Sequence, residues 1–449
     1  MLYSVQGAIL ITAKRYRRFV HFVSLEVSQI PSVSTMAVER IGSIIKHLAP
    51  GSSLSNIQSK NPDDIVITYA ARTPLTKAGK GGFKDTSLEY MVYALLEKVR
   101  ERSGVDPALV EDICLGNVTD AQAAYKVRTA ALAAGFPNTA GANSVNRFCS
   151  SGLKAIADIA HSIANDSISV GIAVGAESMT NGRPTEELDE AVLKKSQEAH
   201  DAVQPMGWTS ENVSKDFGID RATMDKYAAE SFQRAERAQK AGLFDDEIVP
   251  ITTQVKDKDG QVKEVTLTRD DGIRPGTTAE GLAKIRAAFP QWGPTTTGGN
   301  ASQVTDGAAA VVLMKRSTAI KLGLPIMAKY VGSTVAGVAP RIMGIGPSVA
   351  IPKLLSIYNI SLNDIDVVEV NEAFASMAVY CRDKLGLDWA KMNPKGGAIA
   401  LGHPLGATGA RQVVTGLSEL RRTKKKMLLT SMCIGTGQGM AGLFVNEQV

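Results

Sequence analysis

Hydrophobic residues recur with two different periods along the chain, and the two periods alternate from about residue 64 onward. Short apolar runs typical of buried strands are separated by stretches with helical spacing, in which apolar residues recur every three or four positions. Strands are predicted at 64–69, 110–115, 142–148, 168–174, 304–314, 365–370 and 427–431, and helices at 88–102, 127–134, 153–164, 221–241 and 403–421. Strands that alternate with helices indicate an α/β fold with a parallel sheet covered on both faces.

The order of these units repeats in the second half of the chain. Three pairs of segments correspond: 144–164 with 396–420, 168–174 with 426–437, and 112–116 with 366–370. A duplicated unit predicts that equivalent loops meet near a pseudo-twofold axis, beyond the carboxyl ends of the strands, where ligands bind. Residues 181–290 between the halves are more polar and are interpreted as an insertion.

Composition narrows the class of protein. The 449 residues are 44% hydrophobic and 21% charged, which is enough apolar material for a folded core. No apolar run reaches the length of a membrane span. The formal net charge of +5 is too small and too dispersed for a nucleic-acid-binding surface. Four cysteines are too few for a disulfide scaffold, so each is either catalytic or simply buried.

The first 62 residues are interpreted as a targeting segment and linker. Residues 1–35 carry Lys14, Arg15, Arg17 and Arg18 but a single acidic residue, as mitochondrial leaders do. After Met36, a nonapeptide matches the type-2 peroxisomal targeting signal through Arg40, Ile41, His47 and Leu48. We therefore predict peroxisomal import through a receptor that binds this nonapeptide, with Met36 as a functional start. An ordinary amphipathic helix and a mitochondrial location remain the alternatives.

Cys149 is the first candidate for chemistry. It lies between a predicted strand and a predicted helix, in the loop at 145–152. The amino terminus of a helix carries a partial positive charge, which favours a thiolate and is expected to lower the pKa of Cys149. Taken alone, this loop does not establish catalysis, because a buried structural cysteine is the commoner case for a lone cysteine.

Three further loops carry reactive or polar side chains near strand ends. His403 lies among glycines at the start of a predicted helix, Cys433 enters a glycine-rich loop, and Asn371 follows the strand at 365–370. A histidine can act as a base, a thiol can exchange protons, and glycine-loop amides can polarise a carbonyl oxygen. A core histidine, a tight hairpin and a helix cap are the structural alternatives.

Several common sites are disfavoured by the motifs. The chain contains no CxxC pair and no HxxxH, so zinc ligation is not predicted. It has no GxGxxG after the first strand, no GxxxxGK[ST] and no GxSxG, which argues against dinucleotide, P-loop and serine-hydrolase chemistry.

The four loops together resemble the thiolase family, most closely its peroxisomal 3-ketoacyl-CoA branch. The matching motifs are NRFCSSGLKA (146–155), PMGWTSENV (205–213), GNASQVTDGAA (299–309), GVAPRIMGIGP (337–347), VNEAFA (370–375), NPKGGAIALGHPLGATGAR (393–411) and CIGTGQGMA (433–441). The resemblance implies a duplicated, five-layered α-β-α-β-α architecture with an inserted loop domain. The implied division is an amino-terminal domain at 63–180 and 291–320, an insertion at 181–290 that covers coenzyme A, and a carboxyl-terminal domain at 321–449.

The same resemblance implies a function. A thiolase of this branch cleaves 3-ketoacyl-CoA with free coenzyme A, giving acetyl-CoA and a shortened acyl-CoA at the end of fatty-acid β-oxidation. Coenzyme A would be a co-substrate, with no permanently bound cofactor and no metal, and the protein would be a homodimer.

The resemblance also implies roles for individual residues. Cys149 would be the nucleophile, His403 would activate it, and Cys433 would be the second acid/base. Asn371 would hold a water that forms the first oxyanion hole together with His403. The amides of Cys149 and Gly435 would form the second oxyanion hole.

Other positions bear on the substrate. Ser302 would lie near the coenzyme A chain. Phe148 and Gln438 depart from the usual family residues beside the nucleophile and in the carboxyl-terminal loop, so the sequence does not fix chain-length preference.

Two other functions are weighed against degradation. A biosynthetic acetoacetyl-CoA thiolase would use the same chemistry for condensation. A catalytically silent, lipid-binding relative would be expected to lack one of Cys149, His403 and Cys433, and all three are present.

Overall fold

The computed structural model describes residues 54–182 and 188–449. Met36 and the nonapeptide at 40–48 lie outside the described residues. Within the described residues, no helix combines the length and the hydrophobicity needed to cross a bilayer.

Most strands belong to one mixed sheet, in the order β10-β11-β12-β9-β1-β8-β5-β3-β4, with the short β2 beside β8. The strands are β1 Ile65–Arg72, β2 Thr76–Lys77, β3 Asp112–Gly116, β4 Gly141–Val145, β5 Val170–Ser178, β6 Ile251–Lys256, β7 Val262–Leu267, β8 Thr305–Lys315, β9 Ala328–Gly337, β10 Val367–Val370, β11 Met427–Ile434 and β12 Gln438–Asn446. β6 and β7 form a separate two-stranded sheet.

The α-helices are α1 Leu54–Gln58, α2 Leu88–Arg102, α3 Ala123–Ala133, α4 Ser151–Ala164, α5 Glu190–Leu193, α6 Gln197–Asp201, α7 Met206–Asp216, α8 Arg221–Lys240, α9 Ala279–Ala283, α10 Arg316–Lys321, α11 Gly346–Tyr358, α12 Ala375–Leu385, α13 Ala398–Leu401 and α14 Thr408–Thr423. All five predicted helices are present: α2, α4 and α8 begin and end within two residues of the predicted positions, whereas α3 begins four residues earlier and α14 five residues later than predicted. Side-chain caps fix the starts of two predicted helices: Ser87 accepts from the Tyr90 amide before α2, and Asp220 accepts from the Thr223 amide before α8.

The two halves of the sheet repeat one pattern of strands. In the first half, β3 and β5 are parallel, and β8 and β1 follow antiparallel to their neighbours. In the second half, β10 and β11 are parallel, and β12 and β9 follow antiparallel. The halves join through β1 and β9, where Val66 pairs with Lys329 and Ile67 with Ala328. The duplication predicted from the sequence is thus seen as the same strand order twice.

Five layers result from this arrangement. α2 and α3 cover one face of the first half-sheet, while α11 covers the second half-sheet on the opposite side of the molecule. α4 and α14 lie between the two half-sheets, and α14 contacts both β8 and β11. Every residue of α14 from Thr408 to Leu420 is buried, as expected for a helix enclosed by sheets on both sides.

Two expectations about the sheet are wrong. It is mixed rather than parallel, because β11 returns directly into β12 through a short turn and because β8 follows the long insertion before it re-enters beside β5. The segment at 396–401 was expected to contain a counterpart of the strand at 142–148. It forms the short helix α13 instead, and the counterpart of β4 beside β10 is reduced to a single parallel bridge between Val368 and Met392.

The segments predicted as linker and insertion are partly built into the core. Residues 54–58 of the linker form α1, and Ile57 is buried in the apolar cluster of the second half. Within 181–290, α8 packs on α12 and α13, and β6–β7 form the separate hairpin. The insertion therefore packs against α12, the helix that follows Asn371, and against α13, the helix that precedes His403.

The halves meet at glycines. A Cβ added to Gly152, in the first turn of α4, would lie 2.7 Å from the Gly406 oxygen and 2.8 Å from the Ala410 nitrogen. A Cβ added to Gly406 would lie 2.6 Å from the Gly116 oxygen and 2.7 Å from the Ala176 oxygen. These neighbours are backbone atoms that cannot rotate away, so the loop before α14 approaches the first half only because side chains are missing.

We predict that Gly406→Ala destabilises the protein by about 1–3 kcal/mol, because an added methyl group overpacks a rigid contact. Thermal unfolding monitored by circular dichroism would show a lower Tm. Gly298→Ala is the matched control, because a Cβ at that position meets nothing within 4 Å. Equal Tm values for the two variants would contradict the close-contact interpretation.

Candidate active site

The turn that carries Cys149 is held by its own backbone and side chains. Phe148 adopts a left-handed conformation, with φ of 45°, which is uncommon for a bulky residue. The Asn146 carboxamide oxygen accepts from the Phe148 amide at 2.8 Å, and the Ser151 hydroxyl donates to the Phe148 oxygen at 2.6 Å. The turn thereby places Cys149 two residues before α4.

Burial raises the pKa of Cys149 to about 11, although the amides of Gly435 and of Cys149 itself hydrogen-bond the sulfur and act in the opposite direction. Glu177 raises the pKa further by its charge. The expectation that the helix terminus leaves a low pKa is therefore wrong, because desolvation of the sulfur outweighs the backbone donors. Cys149 rests as a thiol and needs a base before or during attack.

Cys433 lies inside β11, one residue before its end, rather than after the strand as expected. β11 turns into β12 through Gly435, Thr436 and Gly437, and the last two have φ of 76° and 89°. This turn is the tight hairpin considered as an alternative, and it also directs the Gly435 amide at Cys149. Burial raises the pKa of Cys433 well above its usual value, and interaction with the nearby Cys149 adds to the rise.

Asn371 and His403 are hydrogen-bonded to each other in the interior. Asn371 Nδ2 lies 3.2 Å from His403 Nε2, and His403 Nδ1 lies 2.7 Å from the Thr408 hydroxyl. That hydroxyl donates to the Pro404 oxygen at 2.9 Å, so it accepts from Nδ1–H. This network assigns the proton to Nδ1 and leaves the lone pair on Nε2.

His403 is uncharged at neutral pH. Burial lowers its pKa to about 3, and the charge of Arg411 acts in the same direction. The residue lies five positions before α14 begins at Thr408, not at the helix start as expected, because the non-helical residues 404–407 lie between them. A neutral imidazole whose Nε2 accepts a hydrogen bond from Asn371 can exchange that bond for a proton.

Register in the second half-sheet brings Asn371 and Cys433 to the same edge. Val370 pairs with Ser431 across the parallel strands β10 and β11, and the Asn371 amide donates to the Ser431 oxygen at 2.9 Å. The Cys149 sulfur in turn lies close enough to Cys433 to raise the pKa of that thiol. The structure thus links the four predicted side chains and Gly435 in one buried region.

Ser302 lies beside the same loops. Its amide donates to the Ala373 oxygen at 3.0 Å, two residues after Asn371. The next residue, Gln303, accepts from the His403 amide at 2.9 Å. Ser302 is only partly buried, so its side chain remains near the site and within reach of solvent.

Two buried carboxylates support the site. Glu372 accepts from Tyr227, Ser231, Asn393 and the Ile399 amide.

Glu177 was missed. It accepts from the Gly406 amide at 2.8 Å and from the backbone and side chain of Thr119, so it joins the two halves. The sequence does place Glu177 just after Gly175 and the predicted strand at 168–174, and a carboxylate at a strand end could have been considered as a site residue.

An apolar cluster adjoins Cys433. It contains Met343, Ala373, Phe374 and Met377, and three partly buried residues pack against it: Met206, Phe289 and Ala301. An apolar wall beside two thiols and a neutral imidazole suits a substrate with a hydrocarbon part and a reactive carbonyl.

Two adjoining family profiles match the chain. The profile described as "Thiolase, N-terminal domain" matches residues 65–317, and the one described as "Thiolase, C-terminal domain" matches residues 324–446. The chain belongs to the thiolase family. The family assignment predicted from the loops is therefore confirmed, and the protein is an acyltransferase.

Curated relatives are similar to this chain over most of their length. The peroxisomal 3-ketoacyl-CoA thiolase of Yarrowia lipolytica is 51% identical over 401 residues, which cover 89% of this chain and 97% of the relative. The human peroxisomal 3-ketoacyl-CoA thiolase is 48% identical over 396 residues, covering 87% and 93%.

Solved structures confirm the fold class. The dimeric peroxisomal thiolase of Saccharomyces cerevisiae superposes with a TM-score of 0.81 at 46% identity, covering 88% of this chain and all of that one. A second structure of the Saccharomyces cerevisiae enzyme, described as five-layered with two core domains of identical topology, gives a TM-score of 0.70 at 41% identity and covers 87% and 100%. Human mitochondrial 3-ketoacyl-CoA thiolase in complex with CoA gives 0.76 at 36% identity, covering 86% and 98%.

The low pKa of His403 predicts a loss of stability in mild acid. Below pH 6.5 an unfolded histidine takes up a proton that the folded protein excludes until about pH 3, so stability falls as the pH drops through this window. Relative to a His403→Asn variant, the wild type should lose about 2 kcal/mol more between pH 7 and pH 5. Urea denaturation at both pH values measures the difference, and equal losses in the two proteins would contradict a buried neutral imidazole.

Proposed function

We propose that this chain cleaves 3-ketoacyl-CoA with free coenzyme A, releasing acetyl-CoA and an acyl-CoA shortened by two carbons. The observation that carries the proposal is the Cys149 sulfur, which accepts from two backbone amides and lies close enough to Cys433 to raise the pKa of that thiol. The names of the peroxisomal relatives support the same substrate class.

The first half-reaction starts from a thiol. Cys149 attacks the 3-keto carbon while its proton passes to the lone pair of His403 Nε2. The oxygen of this carbon gains charge and is stabilised by the amides of Cys149 and Gly435. The bond between C2 and C3 then breaks, and its electron pair moves into an acetyl-CoA enolate. Cys433 donates its proton to C2, giving acetyl-CoA and a Cys433 thiolate.

The enolate oxygen needs a second set of donors. Asn371 Nδ2 is already used by His403, and Asn371 Oδ1 is buried without a partner among the described residues. A water bound to Oδ1 has a second O–H to donate to the thioester oxygen, next to the protonated Nε2 of His403. The unpartnered oxygen thus supports the proposed role of Asn371.

The second half-reaction restores both cysteines. Coenzyme A transfers its thiol proton to the Cys433 thiolate and attacks the acyl carbon on Cys149. The Cys149–acyl bond breaks, the sulfur recovers the proton held by His403, and the shortened acyl-CoA leaves. Ser302, beside both catalytic loops and partly exposed, is proposed to contact the coenzyme A chain.

Assembly, domain division and location belong to the same proposal. We assign the amino-terminal domain to 63–180 and 291–320, the insertion covering coenzyme A to 181–290, and the carboxyl-terminal domain to 321–449. A homodimer is proposed because the similar yeast structure is described as dimeric. Peroxisomal location is proposed from the named relatives and from the nonapeptide at 40–48, which an import receptor would bind.

Cysteine variants test the chemistry. Cys149→Ala should abolish acyl-enzyme formation and thiolysis, since no sulfur remains to carry the acyl group. Cys433→Ala should still accept an acyl group but lose turnover by at least about 100-fold, the usual scale for an acid/base group. Cys114→Ala is the matched control, because Cys114 is buried in another cluster. Rapid-quench mass spectrometry follows acylation, and near-normal turnover of Cys149→Ala would overturn the nucleophile assignment.

The same proteins should be assayed with acetoacetyl-CoA and with a long-chain 3-ketoacyl-CoA. Efficient thiolysis of the long-chain substrate supports degradation. Activity confined to acetoacetyl-CoA would favour the biosynthetic alternative.

The targeting proposal predicts that Arg40→Ala and His47→Ala each release a fluorescent fusion of the full chain from peroxisomes into the cytosol. Lys46→Ala is the control, since that position of the nonapeptide is unconstrained. Deleting 1–35 should leave import intact. Mitochondrial fluorescence of the full chain would contradict the proposal.

A further inference from the structure

A ring of contacts connects both nitrogens of His403 to one buried ion pair. Thr408 accepts from Nδ1, and Arg411 lies one turn further along the same face of α14. Asn371 donates to Nε2, and Glu369 precedes it by two residues, on the same side of the extended chain. The ring closes because Arg411 Nη1 donates to Glu369 Oε2 at 2.9 Å.

The pair of Arg411 and Glu369 is poorly suited to stabilising the fold. Both side chains are 1% exposed, so two charges have been removed from water. One hydrogen bond joins them, and Glu369 Oε1 and Arg411 Nε have no partner among the described residues. A buried pair repays the cost of desolvation only when its remaining polar atoms are also bonded. Stability does not account for this pair, which leaves the effect of its charges on the neighbouring His403.

The charge of Arg411 opposes the proton transfer that His403 performs in the proposed mechanism. His403 becomes a cation when it takes the Cys149 proton. Burial already disfavours that cation, and the charge of Arg411 acts in the same direction, so that the pKa of His403 is about 3. An ionised Glu369, bonded to Arg411, offsets the guanidinium charge, whereas a protonated Glu369 leaves it unopposed.

We propose that Glu369 is a positioning residue whose negative charge offsets Arg411 and so allows His403 to accept the Cys149 proton. The inference rests on the proposed function, in which His403 is the base that activates Cys149. Glu369 acts through Arg411 and not on the substrate itself.

The surroundings of Glu369 place its titration near neutral pH. Burial raises the pKa of Glu369 to about 7, nearby cations lower it, and nearby carboxylates raise it further. The charged groups that face it are Arg411, Lys395, Glu247 and Glu372. The adjacent strand β11 contributes a neutral hydroxyl, since Thr430 pairs with Glu369. Glu369 therefore changes its charge within the range in which enzymes are normally assayed.

The rate of Cys149 acylation should follow this titration. Both catalytic thiols titrate at high pH and His403 in acid, so none of the three changes its charge between pH 6 and pH 8. As the pH falls through about 7, Glu369 takes up a proton and His403 becomes a weaker base. Acylation by acetyl-CoA, measured by rapid-quench mass spectrometry, should slow about fivefold from pH 8 to pH 6.

Two variants separate the charge of Glu369 from its shape. Glu369→Gln keeps an oxygen that accepts from Arg411 but removes the charge. At pH 8 it should acylate about tenfold more slowly than wild type, with a rate that is constant from pH 6 to pH 8. Adding Arg411→Met removes the opposing charge, so the double variant should acylate faster than Glu369→Gln. If Glu369 only holds Arg411 in place, the double variant should be no faster, because it loses that contact as well.

Asp225→Asn is the matched control, because Asp225 is a buried carboxylate that pairs with Arg221 on another helix. This variant should keep the pH dependence of the wild type, and losing it would contradict a specific role of Glu369. A flat wild-type rate between pH 6 and pH 8 would also overturn the positioning role, as would a Glu369→Gln variant that keeps the fall or a double variant no faster than Glu369→Gln. Each of these outcomes leaves the proposed function standing. The proposed function itself fails if acetyl-CoA does not acylate Cys149 of the wild type at any pH.

Discussion

The backbones of the two halves touch at Gly152 and Gly406, and the chemistry depends on this contact. A side chain at either position would meet main-chain atoms of the other half within about 3 Å, so only glycine allows the loop before α14 to reach the start of α4. That approach brings the His403 loop, from the second half, towards the Cys149 turn of the first half. Glu177 stabilises the same junction by accepting from the Gly406 amide across the interface between the halves.

Burial shapes the reactivity of the site more than any single charge does. It raises the pKa of both thiols and lowers that of His403, so the three groups all rest uncharged. In the proposed mechanism, a neutral, buried site favours concerted proton transfer over a standing thiolate–imidazolium pair, and it strengthens hydrogen bonds to the charges that develop on the two carbonyl oxygens. Fixed backbone amides serve this purpose because they need no reorganisation when charge appears.

The predicted helices and strands and their repetition could be recognised in the sequence because hydrophobic periodicity is a local property. Strand direction and burial depend on contacts between distant segments and could not be recognised in this way. The helix at 88–102 and the strand end that carries Asn371 could be placed from spacing and glycine turns alone, whereas the strand before Cys149 was expected to run to residue 148 and ends at Val145. The antiparallel entry of β8 could not, since it depends on where a long insertion returns. The pKa of Cys149 was wrongly expected to be low because the helix terminus is visible in the sequence while the surrounding desolvation is not. Glu177 and the Glu369–Arg411 pair join distant segments, and no short motif records them.

The central claim is that Cys149 carries the acyl group with its carbonyl oxygen between the amides of Cys149 and Gly435. A crystal structure of Cys433→Ala soaked with acetyl-CoA tests it most directly, because that variant should acylate without turning over. The account predicts density for a thioester on Cys149 Sγ, with its oxygen at hydrogen-bond distance from both amide nitrogens. An acyl group on another residue, or a thioester oxygen that faces away from both amides, would contradict it.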